Sequence, residues 1–370
     1  MDFLADFLSL FLNKLQSPTL GFLIGGMVVA AVNSRLTIPD PIYKFIVFML
    51  LIKVGLSGGI AIRNANLAEM LLPALFAVLV GILVVFIGRY TLAKMPNVKT
   101  VDAIATAGLF GAVSGSTLAA SLTLMETEGL TYEPWAAALY PFMDIPALVT
   151  AIVLASVYLS KKRENSEEYF SKQEFLGNEN YVGGQQVKTA TEYRSKQRSS
   201  QGKRVEIWPI VQESLQGSAL SALLLGLALG ILTRPESVYE SFFNPMFRGL
   251  LSILMLVMGM EATARIGELR KVGQWYALYA FVAPLLHGFI AFGFGMIAHY
   301  VTGFSLGGVV ILAVIASSSS DISGPPTLRA GIPSANPSAY IGSSTAVGTP
   351  VALAIGIPLF IGLAQALAGS

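Results

Sequence analysis

Long apolar stretches fill most of the chain, and a few polar or turn-forming residues separate each from the next. An apolar run of about 20 residues is long enough to cross a bilayer as a helix. The pattern therefore predicts ten membrane spans, five on each side of one polar segment. Their expected ranges are 18–35, 41–60, 67–93, 100–126, 133–160, 207–233, 242–265, 272–301, 306–331 and 336–368.

The spans and the segments between them predict four parts. Residues 2–16 resemble an amphipathic helix that is too short to span, which favours an interfacial position. The polar loop is rich in Gln, Ser, Gly, Lys and Glu, so it is either a plain linker or a docking segment for a cytoplasmic regulator. The expected parts are an N-terminal interfacial helix at 1–17, a first five-helix repeat at 18–160, the polar loop at 161–206 and a second five-helix repeat at 207–370.

Composition supports a membrane protein and excludes several other classes. Hydrophobic residues make up 54% of the chain and charged residues only 12%, about half the charge of a soluble domain. More than a third of those charges lie in the loop 161–206. A net charge of +2 gives no electrostatic basis for a nucleic-acid partner, and the absence of cysteine excludes disulfides and thiolate metal sites.

Charged residues in the short loops predict the orientation, because lysine and arginine accumulate on the cytoplasmic side. Basic residues flank the loop 161–206 and two other connections, whereas acidic residues occupy the alternate connections. We therefore expect this loop in the cytoplasm and both termini outside. Lys53, part-way along the second span, is expected to extend its amine towards the cytoplasmic side.

The ninth predicted span is interrupted near its middle by serines, an aspartate, a glycine and two prolines. A broken helix persists in a bilayer only where protein or water satisfies its backbone, and a carboxylate at that depth indicates a functional site. The alternative is a proline kink whose serines bond to the preceding turn. The interrupting residues are Ser317, Ser318, Ser319, Ser320, Asp321, Ser323, Gly324, Pro325 and Pro326.

The fourth span has a matching interruption at 108–117, which suggests an internal repeat. Val113-Ser-Gly-Ser-Thr-Leu resembles the run from Ile322 to Leu328, and two further matches occur in the same order at offsets near 204 residues. Because each half has an odd number of spans, homologous halves must be inverted relative to one another. The predicted fold is an all-α polytopic membrane protein with ten transmembrane helices in a 5+5 inverted repeat, and with two broken helices crossing at the midplane.

The interruptions predict a paired ion site. A helix start presents free amides and about half a positive charge, so two opposed starts suit one small monovalent anion. Carbonyls, hydroxyls and a carboxylate suit Na⁺. The expected anion-binding residues are Phe110, Gly111, Ala112, Ser114, Ser116, Ser323 and Gly324. The expected Na⁺ ligands are Ser114, Ser317, Ser318, Ser319, Ser320 and Asp321, and Asp144 and Thr117 are candidates for a supporting role.

The serine-rich run 317–329, its counterpart 110–116 and the ten-span layout resemble the cyanobacterial sodium-dependent bicarbonate transporter family, the SbtA family. The resemblance covers essentially the whole chain. It implies a Na⁺/HCO₃⁻ symporter of the inner membrane that serves inorganic-carbon concentration, with Na⁺ as the coupling ion and no other cofactor. It also implies a homotrimer in which a mobile core moves against a scaffold, and a PII-like, nucleotide-sensing regulator (SbtB family) at the cytoplasmic face.

Other functions compete with this interpretation. A symporter for an organic anion shares the same features, and a Na⁺/H⁺ antiporter would use Asp144 and Asp321 as paired acids. An intramembrane aspartyl protease would use the same pair as a catalytic dyad, but neither aspartate follows a glycine and a protease gives the repeat no purpose. A channel is a further alternative, although paired broken helices suit alternating access better.

Overall fold

The computed structural model describes residues 18–64, 67–177, 218–320 and 324–368, together with positions 208, 212 and 216. Every regular element in this part of the chain is helical. The predicted interfacial helix at 2–16 lies outside it. The principal helices are α1 (Pro18–Ala31), α2 (Asp40–Asn64), α3 (Leu67–Tyr90), α4 (Thr100–Gly111), α5 (Gly115–Thr127), α6 (Tyr140–Gly177), α7 (Ser218–Leu232), α8 (Asn244–Val272), α9 (Gln274–Thr302), α10 (Leu306–Ser317), α11 (Gly324–Gly331), α12 (Pro337–Ser343) and α13 (Ile357–Ala368).

Among the described residues, seven helical segments are long and apolar enough to cross a membrane. Three predicted spans, at 18–35, 207–233 and 306–331, contain shorter apolar helices: Leu20–Ala31, Ser221–Leu232 and Leu306–Ser317. Many large apolar side chains, among them Leu71 and Phe281, are exposed on the outer helices. Exposed apolar surface of this extent requires a lipid surrounding, so the chain is a multi-pass membrane protein, and its described part is all-helical.

Helix α6 continues past the predicted end of the fifth span and reaches Gly177. Residues 161–176 contain no proline or glycine and are rich in Glu, Lys and other helix-compatible residues. The first third of the polar loop is therefore helical in the structure, and the remainder of that loop lies outside the described residues.

The last span is a helix with two widened turns. The π-helical segments Ser344–Gly348 and Ala352–Gly356 enclose the short α-helical turn Thr349–Val351. Each π segment ends two residues before a proline, Pro350 or Pro358, which has no amide hydrogen to continue the α-helical bonding. Such single-turn widenings are frequent at functional sites.

Glycines let two pairs of helices approach backbone to backbone. A Cβ atom on Gly226 of α7 would lie 2.5 Å from the carbonyl oxygen of Ile52 and 3.1 Å from the Cα atom of Gly55, both in α2. In the same way, a side chain on Gly26 of α1 would overlap Leu256 of α8. Helices α1 and α2 thus each pack closely against a helix that follows the polar loop.

The interrupted helices occupy the middle of the molecule. In α4, α5 and α10 almost every residue is buried, including the polar ones away from the helix ends. Helices α3, α6 and α9 pack around them. Residues 112–114 of the first break and residues 318–320 of the second are consequently buried in protein, as a non-helical backbone at membrane depth requires.

Two contacts join the loops at the end of the molecule from which the polar loop leaves. The Asp102 carboxylate accepts a hydrogen bond of 2.8 Å from the Asn336 amide, which precedes α12. The Arg89 guanidinium lies 5.7 Å from the ring centre of Tyr158, near the start of the polar loop. We call this end the insert face.

Another set of contacts joins the acidic loops at the other end, which we call the opposite face. Glu133 accepts hydrogen bonds from the amide and the hydroxyl of Ser305, at 2.7 and 2.6 Å. Arg63, at the end of α2, pairs with Glu236. Successive spans that cross a membrane in opposite directions would place their connecting loops in two such groups, one at each face.

Candidate functional site

The first break separates α4 from α5. Helix α4 ends at Gly111 and α5 begins at Gly115, with an extended backbone at Ala112 and Ser114. In a continuous helix the amides of Val113 and Ser114 would bond to α4. Here the Val113 amide donates to Oδ1 of Asp144 at 2.9 Å, and the Ser114 amide donates to the Ser318 hydroxyl at 2.9 Å. The break is therefore stabilised by side chains from other helices.

Ser114 also caps the new helix. Its hydroxyl oxygen accepts a hydrogen bond from the Thr117 amide at 3.2 Å, the usual N-cap arrangement. The same oxygen lies 2.7 Å from the Ser116 hydroxyl. Both serines are buried, so the start of α5 is a polar patch inside the protein.

The second break separates α10 from α11. Helix α10 ends at Ser317 and α11 begins at Gly324, while residues 321–323 lie outside the described part. The Ser318 hydroxyl donates to the Ile315 carbonyl at 2.8 Å, and the Ser320 hydroxyl accepts from the Gly324 amide at 2.8 Å. Serine side chains thus satisfy backbone groups on both sides of this interruption.

The two breaks touch each other. Besides the bond from the Ser114 amide to Ser318, the Ser320 amide donates to the Leu109 carbonyl at 3.1 Å. One hydrogen bond therefore runs in each direction between residues more than 200 positions apart. The prediction that both helices are interrupted, and that the interruptions meet, is confirmed.

The structure brings most of the predicted site residues together at this junction. Six of the seven expected anion-binding residues, Phe110, Gly111, Ala112, Ser114, Ser116 and Gly324, are buried in or beside the breaks. Ser317, Ser318, Ser319 and Ser320 are also buried, with at most 1% exposed. Asp321 and Ser323 lie outside the described residues, so their predicted roles stay predictions. Asp144 is fully buried beside the first break, and Thr117 is in the first turn of α5.

Sequence reasoning missed two hydroxyls from the last span. The Ser319 hydroxyl lies 2.7 Å from the Ser344 hydroxyl and 3.4 Å from the Thr349 hydroxyl. Ser344 begins the first π segment of that span, and Thr349 follows the segment. The signal was a polar run, Ser343-Ser344-Thr345, within an otherwise apolar helix.

Aromatic packing closes one side of the junction. The Phe110 ring meets the Tyr279 ring of α9 edge to face, with 5.3 Å between the ring centres. A Cβ atom on Gly348 would lie 2.7 Å from the Phe110 ring, so only glycine fits between this ring and the last span. Phe110 is fully buried, and its contacts exclude water from this side of the breaks.

Lys53 does not extend towards the insert face, so that prediction is wrong. Its side chain is 5% exposed, and its amine lies 3.7 Å from Glu126 and 4.2 Å from the ring centre of Phe247. Glu126 is near the end of α5 that points to the opposite face, where Tyr132 donates to it at 3.2 Å. Burial, followed by the Glu126 charge, raises the pKa of the Tyr132 hydroxyl.

A cavity of about 330 Å³ adjoins this ion pair. Glu126, Asn244, Pro245, Phe247 and Arg248 line it. Arg248 reaches within 4.0 Å of the second Glu126 oxygen, so the carboxylate lies between two cations. The arrangement joins the far end of α5 to α2 and α8, and it lies apart from the junction of the breaks.

Comparison with known proteins gives one family. The sequence profile of the Na⁺-dependent bicarbonate transporter superfamily matches residues 18–365. The match includes both breaks, helices α1 to α12 and all but the last three residues of α13. No curated protein sequence matches the chain.

Proposed function

The chain belongs to the Na⁺-dependent bicarbonate transporter superfamily, and we propose that it takes up bicarbonate together with Na⁺ by secondary active symport. It is a transporter and not an enzyme, so the protease interpretation is set aside. The observation that carries the proposal is the hydrogen-bonded junction of two interrupted, buried helices. Broken helices that meet inside a membrane protein are the usual construction of an ion-coupled transport site.

The anion is proposed to bind at the helix starts. Helices α5 and α11 begin at Gly115 and Gly324, where the positive ends of two helix dipoles would attract an anion. The Gly324 amide donates to Ser320 and the next two residues are prolines, so the dipole rather than free amides would act at the start of α11. The residues proposed to contact bicarbonate are Phe110, Gly111, Ala112, Ser114, Ser116, Ser323 and Gly324.

The coupling Na⁺ is proposed to bind beside the anion, on the serine-rich side of the junction. Hydroxyl, carbonyl and carboxylate oxygens suit a hard cation. Two ions of opposite charge held close together in a buried site reduce each other's cost of desolvation, which would couple their transport. The proposed ligands are Ser114, Ser317, Ser318, Ser319, Ser320 and Asp321.

We also propose that the ten predicted spans form a 5+5 inverted repeat. The support comes from the glycine contacts, because α1 packs on α8 and α2 packs on α7. In an inverted repeat, α7 would be the counterpart of α1, and α8 the counterpart of α2. Exchanging the two halves then turns the pair α1–α8 into the pair α7–α2. Two equivalent halves of this kind would permit alternating access, in which an elevator-like core carries the junction across the membrane.

The resemblance to the SbtA family supports further parts of the proposal. These are a homotrimer in the inner membrane, a role in concentrating inorganic carbon, and a PII-like regulator of the SbtB family at the cytoplasmic face. The loops of the insert face would then be cytoplasmic and both termini outside. The helical start of the polar loop, up to Gly177, is the candidate docking segment for the regulator.

Uptake by purified protein in sealed liposomes tests the symport. With an inward Na⁺ gradient, labelled bicarbonate is expected to accumulate, and replacing Na⁺ by choline at equal ionic strength should stop it. Labelled organic acids serve as competing substrates. Uptake that follows a pH gradient without Na⁺, or that accepts an organic anion in place of bicarbonate, would contradict the proposal.

Exchanging Ser318 for alanine tests the junction itself. The exchange removes the hydroxyl that accepts the Ser114 amide, and loss of one partner of a buried hydrogen bond costs about 1–3 kcal/mol. We expect the initial rate of bicarbonate uptake at low substrate to fall roughly 5- to 100-fold. Ser121→Ala is the matched control, because that buried hydroxyl bonds only to Leu118 of its own helix. Equal rates in the two variants would show that the bond between the breaks is dispensable.

A further inference from the structure

Asp144 is a buried carboxylate with one unused oxygen. It lies near the start of α6 and is fully buried. One oxygen, Oδ1, accepts the Val113 amide at 2.9 Å, while Oδ2 has no hydrogen-bond partner. None of the ion pairs found among the described residues involves Asp144; these pairs use Asp40, Glu126 and Glu236.

An unpaired charge in such a position is costly. Moving a carboxylate out of water costs several kcal/mol unless a cation or several hydrogen bonds compensate it, and one amide does not. A bound cation would offset the charge. The choice lies between a proton on Oδ2 and a metal cation beside it.

The oxygens around the first break favour a metal cation. Because the Val113 and Ser114 amides point to Asp144 and Ser318, the carbonyls of Leu109 and Phe110 lose their usual helical donors. The Ser320 amide donates a hydrogen bond to the Leu109 carbonyl. The Phe110 carbonyl is then the one without a helical donor. The Thr117 hydroxyl, in the first turn of α5, is buried and also lacks a partner.

This ligand chemistry is that of a small alkali cation. Three or more His, Cys, Asp or Glu side chains do not cluster anywhere in the described part, as a transition metal would require. Neutral oxygens with one carboxylate suit Na⁺. We propose that Oδ2 of Asp144 is the charged ligand of a second Na⁺ site, on the first break and distinct from the serine-rich site on the second.

The site rests on the proposed function in one respect, since Na⁺ is the ion that the transporter uses. The second site raises the Na⁺-to-anion stoichiometry, because each transport cycle would then carry two Na⁺ with one anion. The cycle would move one net positive charge, and the membrane potential would contribute to uptake.

Equilibrium binding of ²²Na⁺ to the purified full-length protein tests the second site without requiring transport. We expect two Na⁺ per chain for the unaltered protein and one for Asp144→Asn. Asparagine keeps an oxygen that can accept the hydrogen bond from the Val113 amide, so this exchange disturbs the fold less than a change to alanine would. Asp40→Asn is the control, because this carboxylate is exposed and pairs with Lys44. It should leave two ions bound.

Two results would overturn the site. One is a single Na⁺ bound to the unaltered chain, which is decisive even if Asp144→Asn does not yield folded protein. The other is two Na⁺ still bound to Asp144→Asn, in which case Asp144 carries a proton. Absence of Na⁺-driven bicarbonate uptake by the unaltered protein would contradict the symport proposal and leave the count of bound ions intact, so the two failures are distinguishable.

Discussion

Na⁺-dependent bicarbonate uptake is expected to fall to background when Asp321 is replaced by alanine. Asp321 follows Ser320, whose amide joins the two breaks, and it is the carboxylate of the serine-rich run. If Asp321 is the charged Na⁺ ligand that we propose, removing it is comparable to removing one partner of a buried charge pair, which costs about 3–5 kcal/mol. Such a loss would weaken Na⁺ binding by roughly 10²- to 4 × 10³-fold.

The measurement is a Na⁺ titration of uptake in liposomes, with the amount of protein in each preparation equalised. Asp40→Ala is the control for loss of a carboxylate, since Asp40 is exposed near the start of α2 and should leave the titration unchanged. If Asp321→Ala keeps its Na⁺ dependence, the coupling ion does not bind at the serine-rich run.

Replacing Gly226 by leucine is expected to prevent assembly of the folded protein. The added Cβ atom would lie 2.5 Å from the Ile52 carbonyl oxygen and 3.0 Å from the Leu56 amide nitrogen. These are backbone atoms, which cannot rotate away, so α2 and α7 would have to separate. We expect a loss of at least about 3 kcal/mol, the upper end for overpacked interiors.

Thermal unfolding and size-exclusion chromatography of the purified variant provide the measurement. Gly249→Leu is the matched control, because a side chain there would meet nothing within 4 Å. We expect the melting temperature of the control to equal that of the unaltered protein, whereas Gly226→Leu should aggregate or fail to accumulate. A melting temperature for Gly226→Leu equal to that of the control would show that the close contact of α2 and α7 is not needed.

Both helix breaks could be predicted from the sequence because their signals are local. Serines, glycines and prolines inside an apolar run leave the backbone no uninterrupted helix, and Ser114 was identifiable as a cap. The meeting of the breaks followed from the repeat. The lengths of the helices were harder to predict, because apolar residues such as Val32, Leu36 and Ile38 continue into the non-helical segment at 32–39.

The contacts that were missed depend on tertiary packing. Ser344, which contacts Ser319, begins a π-helical segment of the last span, and hydrophobic periodicity does not reveal such a segment. Lys53 was placed wrongly because a lysine in an apolar span usually extends to the membrane surface. Here Glu126 and the Phe247 ring satisfy the amine inside the protein, and both come from other helices.

The pairing of α1 with α8 has a consequence for biosynthesis. When Gly26 is added to the growing chain, Leu256, which will cover it, is still more than 200 residues from being translated. At roughly 5–20 residues per second, the wait lasts about 10–50 s. The early helices must therefore stay in the bilayer, shielded by lipid or by insertion factors, until translation has supplied their partners.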